Sequence, residues 1–290
     1  MMMFIVMVVS GGCFLDSNKS TKPMITIATN SWIGYAPLFY AQETGELEKE
    51  GFRLLTNVSL AEAAEIFNVG KADMVTTTQH EYYMLKEMTK DIVPVVLLDR
   101  SNGGDMIFAN KSLQELKKAK KIYVYLEVDS INSELFSEFV KKRDLSKKEF
   151  IYINEDQQQI LDVKNNPNKT ILIVTYTPYD VELRKKGFEV IASTKDIHDL
   201  VIIDALCART KLLATHKEKL QRLKKLIDTK IEAIKKDPKQ SYQHVKKYLE
   251  NISYKEYEDA LHSIEWINKP SKELLQIIEK MGYKKETLLL

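Results

Sequence analysis

The chain reads as an α/β protein built from two consecutive series of strands and helices and completed by a helical tail. Three observations predict this. From residue 24 onward, short apolar strands alternate with segments of helical period. The alternation runs through two successive series. After residue 204 the pattern is helical to the end, and a tail that adds no third sheet must pack back on an earlier lobe.

The first series opens on the alternating strand 24–28 and continues through Thr29-Asn30-Ser31-Trp32-Ile33-Gly34-Tyr35-Ala36-Pro37 into a helix that ends at Gly45. Residues 53–57 form a second strand, 61–70 a helix closed by Gly70, 73–76 a third strand and 78–90 a helix. The apolar run 92–98 is a strand whose Pro94 marks an edge or a strand start, and 106–109 is a short strand. Such continuous apolar strands predict a mostly parallel, buried sheet.

The second series gives a helix at 113–118, a strand at 121–126 and a helix at 130–143, with Ile131, Leu135, Phe136, Phe139 and Val140 at helical spacing. Strands follow at 150–153, 170–174 and 188–192, with helices at 156–164 and 178–186, the latter stopped by Gly187. After the apolar stretch 200–203, one helical run extends from 205 to about 249, broken at Asp237-Pro238. Further helices are predicted at 254–264 and 271–281.

Of 290 residues, 44% are apolar and 29% charged, as in a globular protein. The 43 basic and 41 acidic residues leave a net charge of +2, which gives no electrostatic footprint for nucleic acid. The lysine-rich runs at 117–121 and 224–236 are interleaved with apolar residues and read as solvated helix faces. There are two cysteines. Cys13 follows the apolar run 3–9 and the small residues Ser10-Gly11-Gly12, the pattern of a secretory signal. It resembles a bacterial lipoprotein box, in which that cysteine carries the lipid. Residues 1–13 are therefore expected to be a lipoprotein-type signal and 14–23 a flexible tether. Cys207, within an apolar run, reads as a small buried hydrophobe.

Four strand ends feed polar or aromatic residues into a following helix, two from each series. Each Ser or Thr there is by itself an ordinary helix cap; their recurrence predicts a ligand site where the ends converge. The first end offers Ser31, Trp32 and Tyr35, and the second Thr77, Gln79 and His80. The third offers Glu127 and Ser130, and the fourth Tyr176. Asp99, Asp105 and Asp204 occupy similar positions. Two carboxylates in one cleft would select a cationic or hydrogen-bond-donating ligand, and the aromatic rings would stack on its apolar part. GxSxG, P-loop, GxGxxG and HExxH motifs do not occur, and the five histidines lack metal spacing, so neither catalysis nor a cofactor or metal is expected.

On these features the chain resembles the periplasmic substrate-binding proteins of ABC importers, in the nitrate/sulfonate/taurine group that shares a domain with thiamine-pyrimidine-precursor proteins. The resemblance rests on Trp32-Ile33-Gly34-Tyr35-Ala36-Pro37 with Gly45, Gly70-Lys71-Ala72-Asp73, Ser101-Asn102-Gly103-Gly104-Asp105, the segment 113–122 and Tyr176-Thr177-Pro178-Tyr179. It implies a type II periplasmic-binding-protein fold: two α/β lobes joined by two hinge strands, the helical tail packing on the first. Lobe 1 would be 24–108 plus 205–290, and lobe 2 would be 109–204. It implies a monomer, lipid-anchored in the periplasm or at the cell surface, with permease and ATPase subunits as partners. Where the group often carries Gly-Ser or Gly-Thr, this chain has Glu127-Val128-Asp129-Ser130. A zwitterionic, cationic or pyrimidine-like ligand is therefore expected over a simple anion. Two other functions suit the same fold: a sensor subunit reporting to a membrane signalling enzyme, and an enzyme like the fungal thiamine-pyrimidine synthase, whose Cys-rich motif has no counterpart here.

Overall fold

The computed structural model describes residues 23–290. The expected signal with Cys13, and all but the last residue of the expected tether, lie outside the described residues. The chain lays down β1 (Ile25–Asn30), β2 (Phe52–Asn57), β3 (Met74–Thr77) and β4 (Val93–Ser101). It then crosses to β5 (Asp105–Ala109), β6 (Lys121–Leu126), β7 (Glu149–Asn154), β8 (Ile171–Tyr176) and β9 (Glu189–Ser193). It returns as β10 (Ile203–Ala208) and, after a helical stretch, β11 (Ile264–Trp266). Two sheets result, ordered β11-β4-β10-β3-β1-β2 and β7-β6-β8-β5-β9. Each sheet with its helices is one α/β lobe. Two crossings and a helical tail on the first lobe make this the type II periplasmic-binding-protein fold.

All six residues of β1 are buried, because helices cover both faces of the first sheet. The tail supplies part of that cover. Its helix Lys217–Lys236 presents Leu220, Leu223, Ile227, Ile231 and Ile234 at three- and four-residue intervals, a single apolar stripe. The stripe packs in one cluster with Leu38 and Phe39 of helix Ala36–Glu43, and Phe39 stacks on Tyr248 with ring centroids 4.6 Å apart. The helix that follows the Trp32 loop is thus held from behind by the end of the chain.

Several expectations need correction. Both sheets are mixed: β10 runs antiparallel to β3 and β4, and β5 antiparallel to β8 and β9. Residues 203–208 form a strand, not the start of a helix. Their Ala-Leu-Cys-Ala composition suits either state, and two flanking strands with free hydrogen-bonding edges decide for β. The 105–109 strand pairs entirely within the second sheet, although residues up to 108 were expected in lobe 1. Trp266 and its neighbours form a three-residue edge strand at the foot of a predicted helical region. Pro94 does sit near the start of β4, where its carbonyl accepts from the Thr287 hydroxyl at 2.7 Å.

The two crossings are tied to each other. Gly103, at φ +106°, donates its N–H to Thr194 Oγ1 at 2.6 Å, and the Thr194 hydroxyl lies 3.0 Å from that of Ser101. Thr194 in turn donates its N–H to the Asp105 carbonyl.

Removing part of the tail stripe tests whether the tail is integral to lobe 1. Leu223→Ala should lower unfolding free energy by about 2–5 kcal/mol, read from urea denaturation. A change under about 0.5 kcal/mol would show that the tail packs independently.

Candidate functional site between the lobes

Register sets the centre of the site. Asp204 of β10 stands directly opposite Asp99 of β4, and the ladder slips immediately afterwards, Ala205 pairing Leu97. The bulge leaves Leu98 unopposed and turns the strand end towards the other lobe. Both aspartates are buried. Asp99 accepts the Trp32 indole N–H at 3.1 Å, and Asp204 accepts the Tyr35 hydroxyl. Gly34, between those aromatics, is required by the same contact: a Cβ there would lie 2.1 Å from Asp99 Oδ2. Trp266 Nε1 donates to the Gly34 carbonyl at 2.9 Å and closes the loop from the other side.

The second lobe meets this loop through β8. Tyr176 lies edge-on to Trp32, centroids 5.8 Å apart, and its hydroxyl accepts from Asn30 Nδ2 at 2.9 Å. Tyr179 donates to the Val58 carbonyl at 3.2 Å. Two carboxylates cross in opposite directions. Glu127 accepts the N–H of Ala61, at the start of helix Leu60–Asn68, at 3.1 Å. Glu81 of the first lobe accepts the N–H of Ile131, at the start of helix Ile131–Lys142, at 3.0 Å. At the rim, His80 Nδ1 pairs with Glu134 Oε1 at 2.6 Å. The lobes are closed on each other.

A cavity of about 10 Å³ remains between them, lined by Asn30, Trp32, Leu60, Thr78, Asp105, Tyr176 and Asp204. That is room for roughly one water-sized group. The lining contains no Lys or Arg. Among the described residues Asn30 Oδ1, Asp105 Oδ2 and Asp99 Oδ2 have no hydrogen-bond partner, and no cluster of His, Cys, Asp or Glu is placed to hold a metal ion.

Of the twelve sequence-predicted residues, Trp32, Asp105, Tyr176 and Asp204 line the cavity. Tyr35 and Asp99 form the layer behind it. Glu127 and His80 serve contacts between the lobes. Ser31 is half-buried beside the Tyr179 hydroxyl, outside the lining. The remaining three have local work. The Thr77 hydroxyl lies 3.3 Å from Cys207 Sγ, Gln79 bridges the Val201 carbonyl and the Ile203 N–H, and Ser130 caps its own helix. Asn30 and Thr78, which belong to the expected strand ends but were not among the twelve, also line the cavity, and Leu60 is a lining residue that the sequence reading missed. Asn30 carried a signal, since it ends β1 beside Ser31.

Burial, opposed only by a few hydrogen bonds, raises Asp99, Asp105, Glu127 and Asp204. Asp105 and Glu127 are each pushed up to about 7. Asp99 and Asp204 are both raised, first by burial and also by each other's or Asp105's charge. The hydrogen bond to Glu134 raises His80. Burial pushes the Cys207 thiol up to about 12, which leaves it inert as a nucleophile near neutrality.

No family model and no curated protein sequence matches the chain. Solved structures do. The ligand-binding component of an ABC-type import system from Staphylococcus aureus, with zinc bound, is 15% identical with a TM-score of 0.71, over 93% of this chain and 97% of that one. The periplasmic aliphatic sulphonate binding protein SsuA from Escherichia coli gives 14% and 0.70, over 90% and 86%. The periplasmic nitrate-binding protein NrtA from Synechocystis PCC 6803 gives 12% and 0.65, over 80% and 68%. At these identities the likeness shows the fold, shared with structures of the nitrate and sulfonate group that the sequence resembles.

The raised carboxyls fix the sign of a pH effect. The unfolded chain sheds these protons near pH 4, whereas the folded chain holds them to about pH 7 or above. Stability should therefore fall as pH rises between about 5 and 8, by about 1.4 kcal/mol per pH unit for each excess proton held. His80, also raised, acts in the same direction up to its own titration. Urea midpoints across that window check this, and Asp105→Asn should flatten the slope. A stability that rises from pH 5 to 8 would contradict it.

Proposed function

We propose that this protein is an extracytoplasmic solute-binding lipoprotein. It captures a small organic molecule between its lobes and delivers it to the permease and ATPase subunits of an ABC importer. The observation that carries this reading is a buried cavity lined from both lobes, with Asn30, Asp105 and Asp204 in its wall, in a fold that closes about two crossings. The likeness to import-system binding proteins supports it. The crossings at 102–104 and 194–202 act as the hinge, and Cys13 carries the lipid that holds the chain at the periplasmic or cell-surface side of a membrane. Among the described residues no helix is long and apolar enough to cross one.

The ligand is zwitterionic, cationic or pyrimidine-like and not a simple anion, because Asp105 and Asp204 line the cavity without a neighbouring cation. A binding role is favoured over catalysis: the described cysteine is a buried, inert thiol beneath Thr77.

Two measurements test this. Trp32 and Trp266 are the only tryptophans, so Trp266→Phe leaves Trp32 as sole reporter of the cavity. A captured solute should raise the melting temperature with its concentration and shift Trp32 emission, and nitrate should do neither. Tight nitrate binding would sink the ligand assignment; a chain that no solute class stabilises would sink capture itself. Separately, Cys13→Ala should move the protein from the membrane to the soluble fraction, and unchanged membrane retention would refute the anchor.

A further inference from the structure

We infer that the group recognised in the cavity is a protonated amine, an ammonium head whose N–H donors are taken by Asn30, Asp105 and Asp204 beside the Trp32 ring. This deepens the solute-capture reading and rests on it. Three kinds of observation converge. The lining presents acceptors from three chain segments: the end of β1, the start of β5 and the start of β10. Asn30 is fully buried and its Oδ1 is unpartnered, as is Asp105 Oδ2, and both belong to the cavity wall. A primary ammonium offers three donors and no acceptor, which complements that wall.

The size is right for the head alone. About 10 Å³ accepts a group the size of one water, so the remainder of the ligand must be accommodated as the lobes part. The charge is right as well. Buried carboxylates are ordinarily paired with a cation, and no Lys or Arg among the described residues forms an ion pair with Asp99, Asp105 or Asp204. Trp32 belongs to the same lining, and an indole ring attracts a cation placed over its face. A neutral pyrimidine would gain no charge interaction from this wall, and an anion would oppose ionisation of the aspartates. Because Asp105 is poised near neutrality, arrival of the cation should also expel a proton.

The experiment pairs amines with hydroxyl isosteres on the full-length protein: taurine with isethionate, and putrescine with 1,4-butanediol, within a wider library of small amines. Calorimetry and thermal shift should show an amine binding at least tenfold tighter than its isostere. Titrations near pH 6.5 in phosphate and in Bis-Tris, a tertiary amine, should differ in apparent heat, through proton release. Asp105→Asn should weaken amine binding at least tenfold without lowering the melting temperature of the unliganded protein. Should that variant fail to fold, the isostere pairs on the unmodified chain decide alone. An isostere as tight as its amine, or a library without any stabilising amine, overturns the inference. Tight binding of isethionate or a neutral pyrimidine that shifts Trp32 emission would overturn it while leaving solute capture intact. Failure of every solute class would remove both.

Discussion

Register places Asp99 of β4 opposite Asp204 of β10, two carboxyls buried side by side where like charges repel across a sheet. The surrounding loop is shaped by that arrangement. Trp32 and Tyr35 reach back to donate one hydrogen bond to each aspartate, and Gly34 between them leaves the space that Asp99 occupies. With Trp32 so fixed, its ring sets where Tyr176 of the second lobe can approach, the two planes nearly perpendicular, and Tyr176 then meets Asn30. Even Gly104, at the first crossing, is constrained by this centre, since a Cβ there would stand 2.4 Å from the Trp32 ring. Loop, hinge and facing lobe thus all depend on the cross-strand carboxyl pair.

Closure also uses two carboxylates that lie outside the cavity lining. Glu127 reaches from the second lobe to the start of a first-lobe helix, and Glu81 reaches from the first lobe to the start of a second-lobe helix. Each supplies an acceptor to a free helix N–H and a negative charge to the positive end of a helix dipole. Leu60, Ile131 and Ile202 add a small apolar contact where the lobes and the return crossing meet. Because the contacts are reciprocal, opening the lobes frees one terminal N–H of each helix at once, while Ser59 and Ser130 go on capping their own helices.

The fold was largely legible in the sequence because its signals are local. Apolar runs, capping residues and Gly stops marked most of the strands and helices within a few residues. What the sequence did not carry was pairing. Ile203–Ala208 has no strand signature stronger than its helical one, and only the open edges of β3 and β4 make it a strand. The site shows the same division. Trp32, Tyr176, Asp105 and Asp204 were legible as strand-end residues, but the sequence cannot say that Trp32 and Tyr35 are the partners of the aspartates. Thr77, Gln79 and Ser130 illustrate the converse: each has the right residue type at a strand or helix end, and each is engaged locally with Cys207, the return crossing or its own helix.

Helix N-termini facing a cleft are where an α/β protein ordinarily receives an anion. Here the two that face across the lobes, at Ala61 and Ile131, are already occupied by Glu127 and Glu81. The protein's own carboxylates occupy those two helix ends, and the cavity beside them is lined by Asn30, Asp105 and Asp204 together with Trp32, Leu60 and the Thr78 and Tyr176 side chains. At an effective dielectric constant of about 20, unit charges 4 Å apart interact by about 4 kcal/mol. A bound anion would incur that repulsion from any ionised aspartate, or require the aspartate to take up a proton. A cation gains the same interaction and ionises its neighbour. On the solute-capture reading proposed above, the carboxyls that close the lobes and those that line the cavity would push ligand choice in one direction, through separate contacts.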